Sequence, residues 1–244
     1  GGVFATVHES VWKVPCAVKK MRPSKDPSAA RAHLDAFVRE GEILRTIDHP
    51  NIVRLLGVVA EADYLGFVLE RAIGENLGET IHKHRRKIPL SSQMDIASQV
   101  ADALSHVHSL SLVHRDVKPD NVILNLKDMS CRIVDFGLSR ALPPNRPQVI
   151  TEPGGTPAYW PPEVLRTGAT QRVHVCRKAD QYGFAITFWE LFTLKLPYTG
   201  VTIEQLVSMV IHDQRPQIPS DMLPSYSRVI QRCWAGSVED RPEF

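Results

Sequence analysis

A few polar residues on an otherwise ordinary chain could carry out chemistry on a phosphate. Asp116 follows His114-Arg115 just after an apolar helical stripe, and a carboxylate on a loop there can accept a hydrogen bond from an incoming hydroxyl. Asn121 lies five residues on and Asp135 fourteen beyond that. Their side-chain oxygens are hard ligands of the kind Mg²⁺ prefers. Lys19, in Cys16-Ala17-Val18-Lys19, sits on an apolar run where a cation needs an anionic partner, and phosphate is one. Phosphoryl transfer asks for little else: clamped phosphates, one or two metal ions, and a carboxylate that orients the attacking oxygen. Taken singly, Asp116 reads as a solvated loop carboxylate and Lys19 as a surface lysine. Their joint spacing argues for the chemistry.

These residues need elements to position them. Val122 to Leu124 and Arg132 to Val134 are short apolar runs, which puts Asn121 and Asp135 at the ends of neighbouring strands. Upstream, Val3 to Val7, Cys16 to Met21, Ile52 to Val59 and Leu65 to Glu70 read as strands. A helix interrupts them, with Asp26 as N-cap and Pro27 at its first position. Leu34, Phe37, Val38, Gly41 and Leu44 mark its apolar face, and it should end near His49-Pro50. From Leu77 onward the pattern is helical. Ala97, Val100, Ala101, Leu104 and Val107 form a stripe expected to start from a cap at Ser91 or Ser92. Asp180 to Thr193 is apolar on nearly all sides, which predicts a buried helix. Thr202-Ile203-Glu204-Gln205 reads as a capping box, leading Ile203, Leu206, Val207, Val210 and Ile211 down one face. The expected class is α+β, with a β-rich lobe over residues 1–72 and a helical lobe over 73–244, joined near Arg71 to Gly74.

Composition adds bounds. The hydrophobic fraction of 43 % and charged fraction of 23 % suit a chain with a sizeable core. A net charge of +2 gives no reason to expect nucleic acid or membrane partners. No apolar run reaches the roughly 18 residues a membrane span needs, and no signal peptide opens the chain. The four cysteines are scattered without C-x-x-C spacing, which reads as reduced thiols in the cytoplasm. His82-Lys83-His84-Arg85-Arg86-Lys87 is the one strong charge block, either a solvated surface or a dock for an acidic partner.

The residues in order resemble the protein kinase family, whose signatures include H-R-D-x-K-x-x-N, D-F-G and V-A-x-K. Here they stand as His114-Arg115-Asp116-Val117-Lys118-Pro119-Asp120-Asn121, Asp135-Phe136-Gly137 and Ala17-Val18-Lys19. The resemblance runs from end to end and implies the two-lobed kinase fold, with a small antiparallel sheet and one helix above a larger helical lobe. It also implies ATP and Mg²⁺ (Mn²⁺ in its place being possible) as cofactors and proteins as substrates. By the same resemblance Asp116 would be the catalytic base, Lys118 would steady the transferred phosphate, and Asn121 and Asp135 would bind metal. Lys19 would hold the α- and β-phosphates and pair with Glu40. Val7, Ala17 and Leu124 would enclose the adenine, with Leu69 behind it. Glu70 and Ala72 would offer backbone groups to its edge. Plain core packing remains the other reading of these apolar residues. Leu44 would pack towards Leu55, Phe136 and His114.

The glycine-rich loop departs from the family pattern. In Gly1-Gly2-Val3-Phe4-Ala5-Thr6-Val7 the first glycine would precede residue 1, Gly2 is the second, and Ala5 replaces the third. Both ends read as cut from a longer protein, which could supply regulatory domains or be acted on by an upstream kinase. Lys118 and Gly155-Thr156-Pro157 resemble kinases of serine and threonine, with Thr156 hydrogen-bonding Asp116 and Lys118. The ending Cys233-Trp234 and Arg241-Pro242-Glu243-Phe244 resembles the tyrosine-kinase-like group. Pro161-Pro162-Glu163 stands where A-P-E is usual, and Glu163 would pair with Arg241. Residues 138–160 read as a mobile activation loop, with Arg115 as an anion site. Thr151 and Ser139 are candidate phosphosites, and Glu152 would partly substitute for a phosphate. A scaffolding module that kept the fold, and a tyrosine or dual-specificity kinase, are the competing readings.

Overall fold

In the computed structural model the described residues are 15–21, 26–61, 64–142, 148–150, 154–166 and 173–244. Valine-rich β1 (Cys16–Met21) opens them and α1 (Pro27–Thr46) follows. Asp26 caps α1 as expected, its carboxylate accepting from Ala29 N at 2.8 Å, and Pro27 fills the first turn, where no N–H is needed. β2 (Leu55–Ala60) and β3 (Leu65–Glu70) complete an antiparallel sheet of order β1-β3-β2. The small lobe is thus a sheet with one helix against it. Phe37 of α1 stacks on Phe67 of β3, ring centroids 4.1 Å apart.

Three expectations for this lobe need correction. Leu34 and Val38 do not face the core; they are 43 % and 50 % exposed, while the buried face is Phe37, Glu40, Ile43 and Leu44. The helix turns a carboxylate inward because Lys19 waits for it there. α1 ends at Thr46 rather than near His49, because Ile47 goes extended to enter the core. The second strand starts at Leu55. Ile52 instead bridges Ile133 in the other lobe, with Val53 N donating to Ile133 O at 3.0 Å.

The large lobe begins with β4 (Glu75–Asn76), a π-helical turn (Glu79–Lys83) and α2 (Leu90–Ser109). The expected serine cap of α2 is absent: the helix starts after Pro89, with no side-chain cap, and Ser91 and Ser92 lie in its first turn. β5 (Leu112–Val113) leads into a loop and a 3₁₀ turn (Pro119–Asn121). Next come β6 (Val122–Leu124) and β7 (Cys131–Ile133), antiparallel, with Val122 opposite Ile133. β8 (Arg140–Ala141) pairs with β5. β9 (Gln148–Ile150), a 3₁₀ turn (Pro157–Tyr159), α3 (Pro162–Leu165) and β10 (Val173–Val175) follow. α4 (Lys178–Thr193) is buried from Asp180 to Leu191, as its all-round apolar pattern predicts. α2 and α6 (Pro224–Cys233) pack against it. α5 (Ile203–Ile211) carries the complete Thr202–Gln205 capping box. Only Leu206 and Val210 of its apolar stripe are buried; Ile203 is exposed.

The architecture is the expected α+β, two-lobed one. The buried core is continuous from Phe37 and Phe67 in the small lobe through Phe136 to Ile230. Leu44 and Phe136 are both in that core, Leu55 packs against it, and the His114 ring meets the Phe136 ring edge-on at 4.8 Å.

Candidate active site

The floor of the cleft is the loop between β5 and the 3₁₀ turn. Its backbone is held from below by Asp180, in the first turn of α4. Asp180 Oδ1 accepts from Arg115 N at 2.8 Å, and Oδ2 accepts from His114 N at 2.9 Å and from His108 Nε2 at 2.8 Å. Burial alone would raise this carboxyl's pKa, but the His108 hydrogen bond and the other contacts outweigh it and hold the value below the ordinary 3.8. Arg115 can then sit at φ 73, a left-handed turn that costs energy for a side-chain-bearing residue.

Asp116 is buried and tightly partnered on one oxygen. Its Oδ2 pairs with Lys118 Nζ at 2.9 Å and accepts from Asn121 Nδ2 at 2.8 Å. Asn121 Nδ2 also donates to Asp116 O, which locks the 3₁₀ turn onto the loop. Asp116 Oδ1 is buried with no hydrogen-bond partner among the described residues. Gly155 faces it: a Cβ there would lie 2.9 Å from Oδ1, and its φ of +107° also favours glycine. An unsatisfied buried carboxylate oxygen is costly, and one beside a side-chain-free residue is poised to receive a donor. Beneath, His114 is fully buried, and burial lowers its pKa more than Asp180 and Asp116 raise it, so the ring is neutral.

The roof is a chain of ion pairs. Lys19 Nζ lies 2.7 Å from Glu40 Oε1 and 2.7 Å from Asp135 Oδ1. Burial would lower the lysine's pKa, but hydrogen bonds to Asp135 and Glu40 more than offset it. Burial likewise would raise Asp135, and Lys19 turns the balance downward, so both stay charged. Asp135 reaches across from the end of β7 with φ 64, and Gly137 keeps the junction open. A Cβ at Gly137 would come 3.3 Å from Asp135 Oδ1 and 3.4 Å from Glu40 Oε2.

Of the residues expected around an adenine, Ala17 lies opposite Leu69 across β1 and β3. Glu70 N–H is taken by Arg54 O at 2.9 Å, its carboxylate pairs with Arg132, and Ala72 follows in the linker. Leu124 is fully buried in the main core. Gly2, Ala5, Val7, Thr151 and Glu152 lie outside the described residues.

On the far side of Asp116, Lys118 Nζ donates to Thr156 Oγ1 at 2.9 Å. The expected direct bond from Thr156 to Asp116 is not made; the lysine stands between them, contacting both. Three residues on, Tyr159 donates its hydroxyl to Glu190 Oε1 at 2.6 Å, and Glu190 Oε2 meets His82 Nε2 at 2.6 Å. The Glu163 carboxylate grips the Arg241 guanidinium through two 2.7 Å bonds. Arg115 Nη1 donates to Leu138 O at 3.0 Å. Its pKa is pushed down to about 10, first by burial and then by the neighbouring Arg140 cation. Ser139 is not available as a phosphosite here: it is fully buried and its hydroxyl is bonded to His114 O at 3.3 Å.

Asp180, His108 and Glu190 were not singled out from the sequence. A signal existed for two of them. Asp180 and Glu190 are the acids of an otherwise apolar helix, and a carboxylate in such a helix must be buried with a partner.

A two-lobed fold with a lysine, two acids and an amide converging on one cleft defines a phosphotransferase catalytic domain. The chain belongs to the protein tyrosine and serine/threonine kinase family, whose model matches residues 1–244. Among curated proteins it is 34 % identical over its whole length to a probable serine/threonine-protein kinase of Dictyostelium discoideum. It is 31 % identical, again over its whole length, to serine/threonine-protein kinase CTR1 of Arabidopsis thaliana. It is 32 % identical over 86 % of its length to an RGS domain-containing serine/threonine-protein kinase of Dictyostelium discoideum. The chain spans 17 %, 29 % and 18 % of those three proteins respectively.

Proposed function

We propose that this domain transfers the γ-phosphate of ATP to serine and threonine hydroxyls of proteins, with Mg²⁺ as the metal. One observation carries the choice of hydroxyl. Lys118 Nζ links Asp116 Oδ2 to Thr156 Oγ1 at 2.9 Å each, so the segment that faces a substrate is drawn close over the acceptor carboxylate. A short hydroxyl side chain fits beneath that bridge. The names of the relatives agree with this reading, and the ending around Trp234 and Arg241 resembles the tyrosine-kinase-like group.

The residues present fit the cofactors. Among the described residues no group of three or more His, Cys, Asp or Glu could hold a metal by itself. Two oxygen ligands completed by phosphate oxygens and water are what Mg²⁺ takes. Asn121 Oδ1 makes no hydrogen bond among the described residues, and Asp135 Oδ1 is engaged by Lys19. Asn121 and Asp135 would hold the metal, whose chemistry is to neutralise charge that builds on the phosphate oxygens. Lys19, kept charged by its two acids, orients the phosphates. Asp116 accepts the proton-bearing hydroxyl at the vacant acceptor Oδ1 and aims its oxygen. Lys118 meets the negative charge of the transferred group. Asn121 and Asp180 do no chemistry on the substrate in holding the floor; they set the position of Asp116.

Arg115 and Arg140 support an anion site for the segment after Leu138, for which Thr151 is the remaining candidate phosphosite. Protein partners, regulatory segments and a cytoplasmic setting belong to the whole protein and are proposed for it. No helix among the described residues is long and apolar enough to cross a membrane. The four cysteines are free thiols.

The test is phosphoamino-acid analysis of a mixed protein substrate after incubation with ATP and Mg²⁺. Phosphoserine and phosphothreonine are expected. Phosphotyrosine as the sole product would overturn the specificity, and nucleotide binding without turnover would favour a scaffolding module.

A further inference from the structure

The basic block 82–87 is divided by the fold into paired and unpaired cations. Lys83 meets Glu79 at 3.2 Å, and His84 and Arg86 share Glu75. His82 is spent on buried Glu190. Arg85 and Lys87 make no ion pair among the described residues. Arg85 is exposed and held at φ 47, which turns it out of the π-helical turn. There it borders a concavity of about 500 Å³. Lys195, from the segment after α4, stands on the same concavity, also exposed and without an ion pair among the described residues. Among the described residues no carboxylate lines it.

Its walls are apolar where they are not cationic. Trp189 and Tyr198 contribute rings, and Leu196 is 55 % exposed at the rim. Trp189 is itself buried and its Nε1 already donates to Gln217 O at 2.9 Å, so the indole backs the wall and offers no free donor. We propose that Arg85, Lys195, His82, Trp189, Leu196 and Tyr198 form a docking site for an acidic segment of the protein substrate, bearing a bulky apolar residue beside its carboxylates.

Charge complementarity names the sign of the occupant, and shape names its class. A concavity of this size takes two or three side chains, which a flat lipid surface cannot insert. A nucleic acid strand would need a row of cations tracking its phosphates, whereas Arg85 and Lys195 are separated by rings and a leucine. The link to substrate is Glu190. One oxygen holds His82 on the concavity wall and the other holds Tyr159, three residues from Thr156. A segment seated here therefore lies against His82, whose partner Glu190 also holds the substrate-facing turn. The substrate identity of the occupant rests on the kinase reading above; the existence of the site does not.

The test separates the two. Binding of a fluorescein-labelled peptide of about twelve residues, glutamates interspersed with leucine, is measured by anisotropy without ATP. Saturable binding is expected, falling about tenfold in Arg85→Glu/Lys195→Glu, a loss of about 1.4 kcal/mol. Leu196→Ser should weaken it about threefold, and the glutamine version of the peptide should not bind. Arg85→Gln/Lys195→Gln, with a thermal melt, guards against misfolding of the charge-reversed protein. Phosphorylation of a short peptide lacking the acidic extension should be unchanged in these variants, while the extension should lower KM only for the wild type. Equal binding by wild type and both charge variants would overturn the site. So would displacement of the peptide by a single-stranded oligonucleotide or phosphatidylserine vesicles at lower concentrations than unlabelled peptide. Binding that survives these controls without an effect of the extension on KM would overturn the substrate as the occupant.

Discussion

The roof and the floor of the cleft hold their charges in opposite ways. Lys19 and Asp135 in the roof are 42 % and 49 % exposed, and they are positioned by ion pairs that span separate elements. Asp116 and Asp180 in the floor are 8 % and 1 % exposed, and each is held by several donors, from the loop, its 3₁₀ turn and His108 of α2. Ion pairs in contact with water are weak and adjustable. Buried carboxylates with several donors are rigid, because moving them strands each donor. The difference teaches a division of labour. On the proposed mechanism the acceptor carboxylate Asp116 is fixed in advance, while Lys19 can exchange one anion for another.

Each variant tests one side of that contrast, and the largest effect belongs to the floor. Asp116→Asn should lower kcat about a thousandfold, with ATP-induced thermal stabilisation retained. Near-normal turnover would show that geometry alone suffices there. Asp180→Ala leaves two backbone N–H groups and His108 without their acceptor. It should cost about 3 kcal/mol in urea denaturation, on top of its effect on rate. In the roof, Lys19→Met should reduce turnover about thirtyfold, some 2 kcal/mol in the barrier, yet change stability by under about 1 kcal/mol. A large loss of stability would mean the roof is as rigid as the floor.

Acid should act in the same sense on Asp180 and Asp135, and in the opposite sense on Glu40, whose carboxyl burial raises. Asp180 and Asp135 titrate below the ordinary 3.8 in the folded chain, so the unfolded chain takes up protons first as the pH falls. Their stabilisation is complete above that ordinary value and is lost as pH drops through the lower, folded one. Denaturation midpoints from pH 7 downward check this (measured in buffers of about equal ionic strength), and Asp180→Ala should flatten the acid limb. The smallest effect should be Val38→Ser, within about 0.5 kcal/mol, because that side of α1 faces water.

The chemistry was more legible than the packing that sets it up. Asp116, Asn121, Asp135 and Lys19 were read together from their spacing, and the structure brings them to one cleft. Capping at Asp26 and Thr202 was legible because it is decided within four residues. The inward face of α1 was not. Periodicity counts Leu34 and Val38 as core and has no means of anticipating that Glu40 is drawn in by a lysine twenty-one residues away. Asp180 carried a signal, an acid in an otherwise apolar helix, but its partners, His108 and two backbone N–H groups, lie 65 or more residues away and could not be named from it. The serine cap of α2 failed because Pro89 starts the helix one residue before either serine could accept.

The Glu163–Arg241 clamp has a consequence for how the chain is made. The Arg241 side chain is fully buried, and its guanidinium also donates to the carbonyls of Ala235 and Lys178. Closing a contact across 78 residues carries an entropy cost of about 4 kcal/mol before any bond repays it. On the ribosome, Glu163 emerges long before its partner exists. The start of α3, from which Glu163 reaches, therefore stays unclamped until Arg241 has been synthesised. A nascent chain of this design completes this tie only after α4, α5 and α6 have all been made.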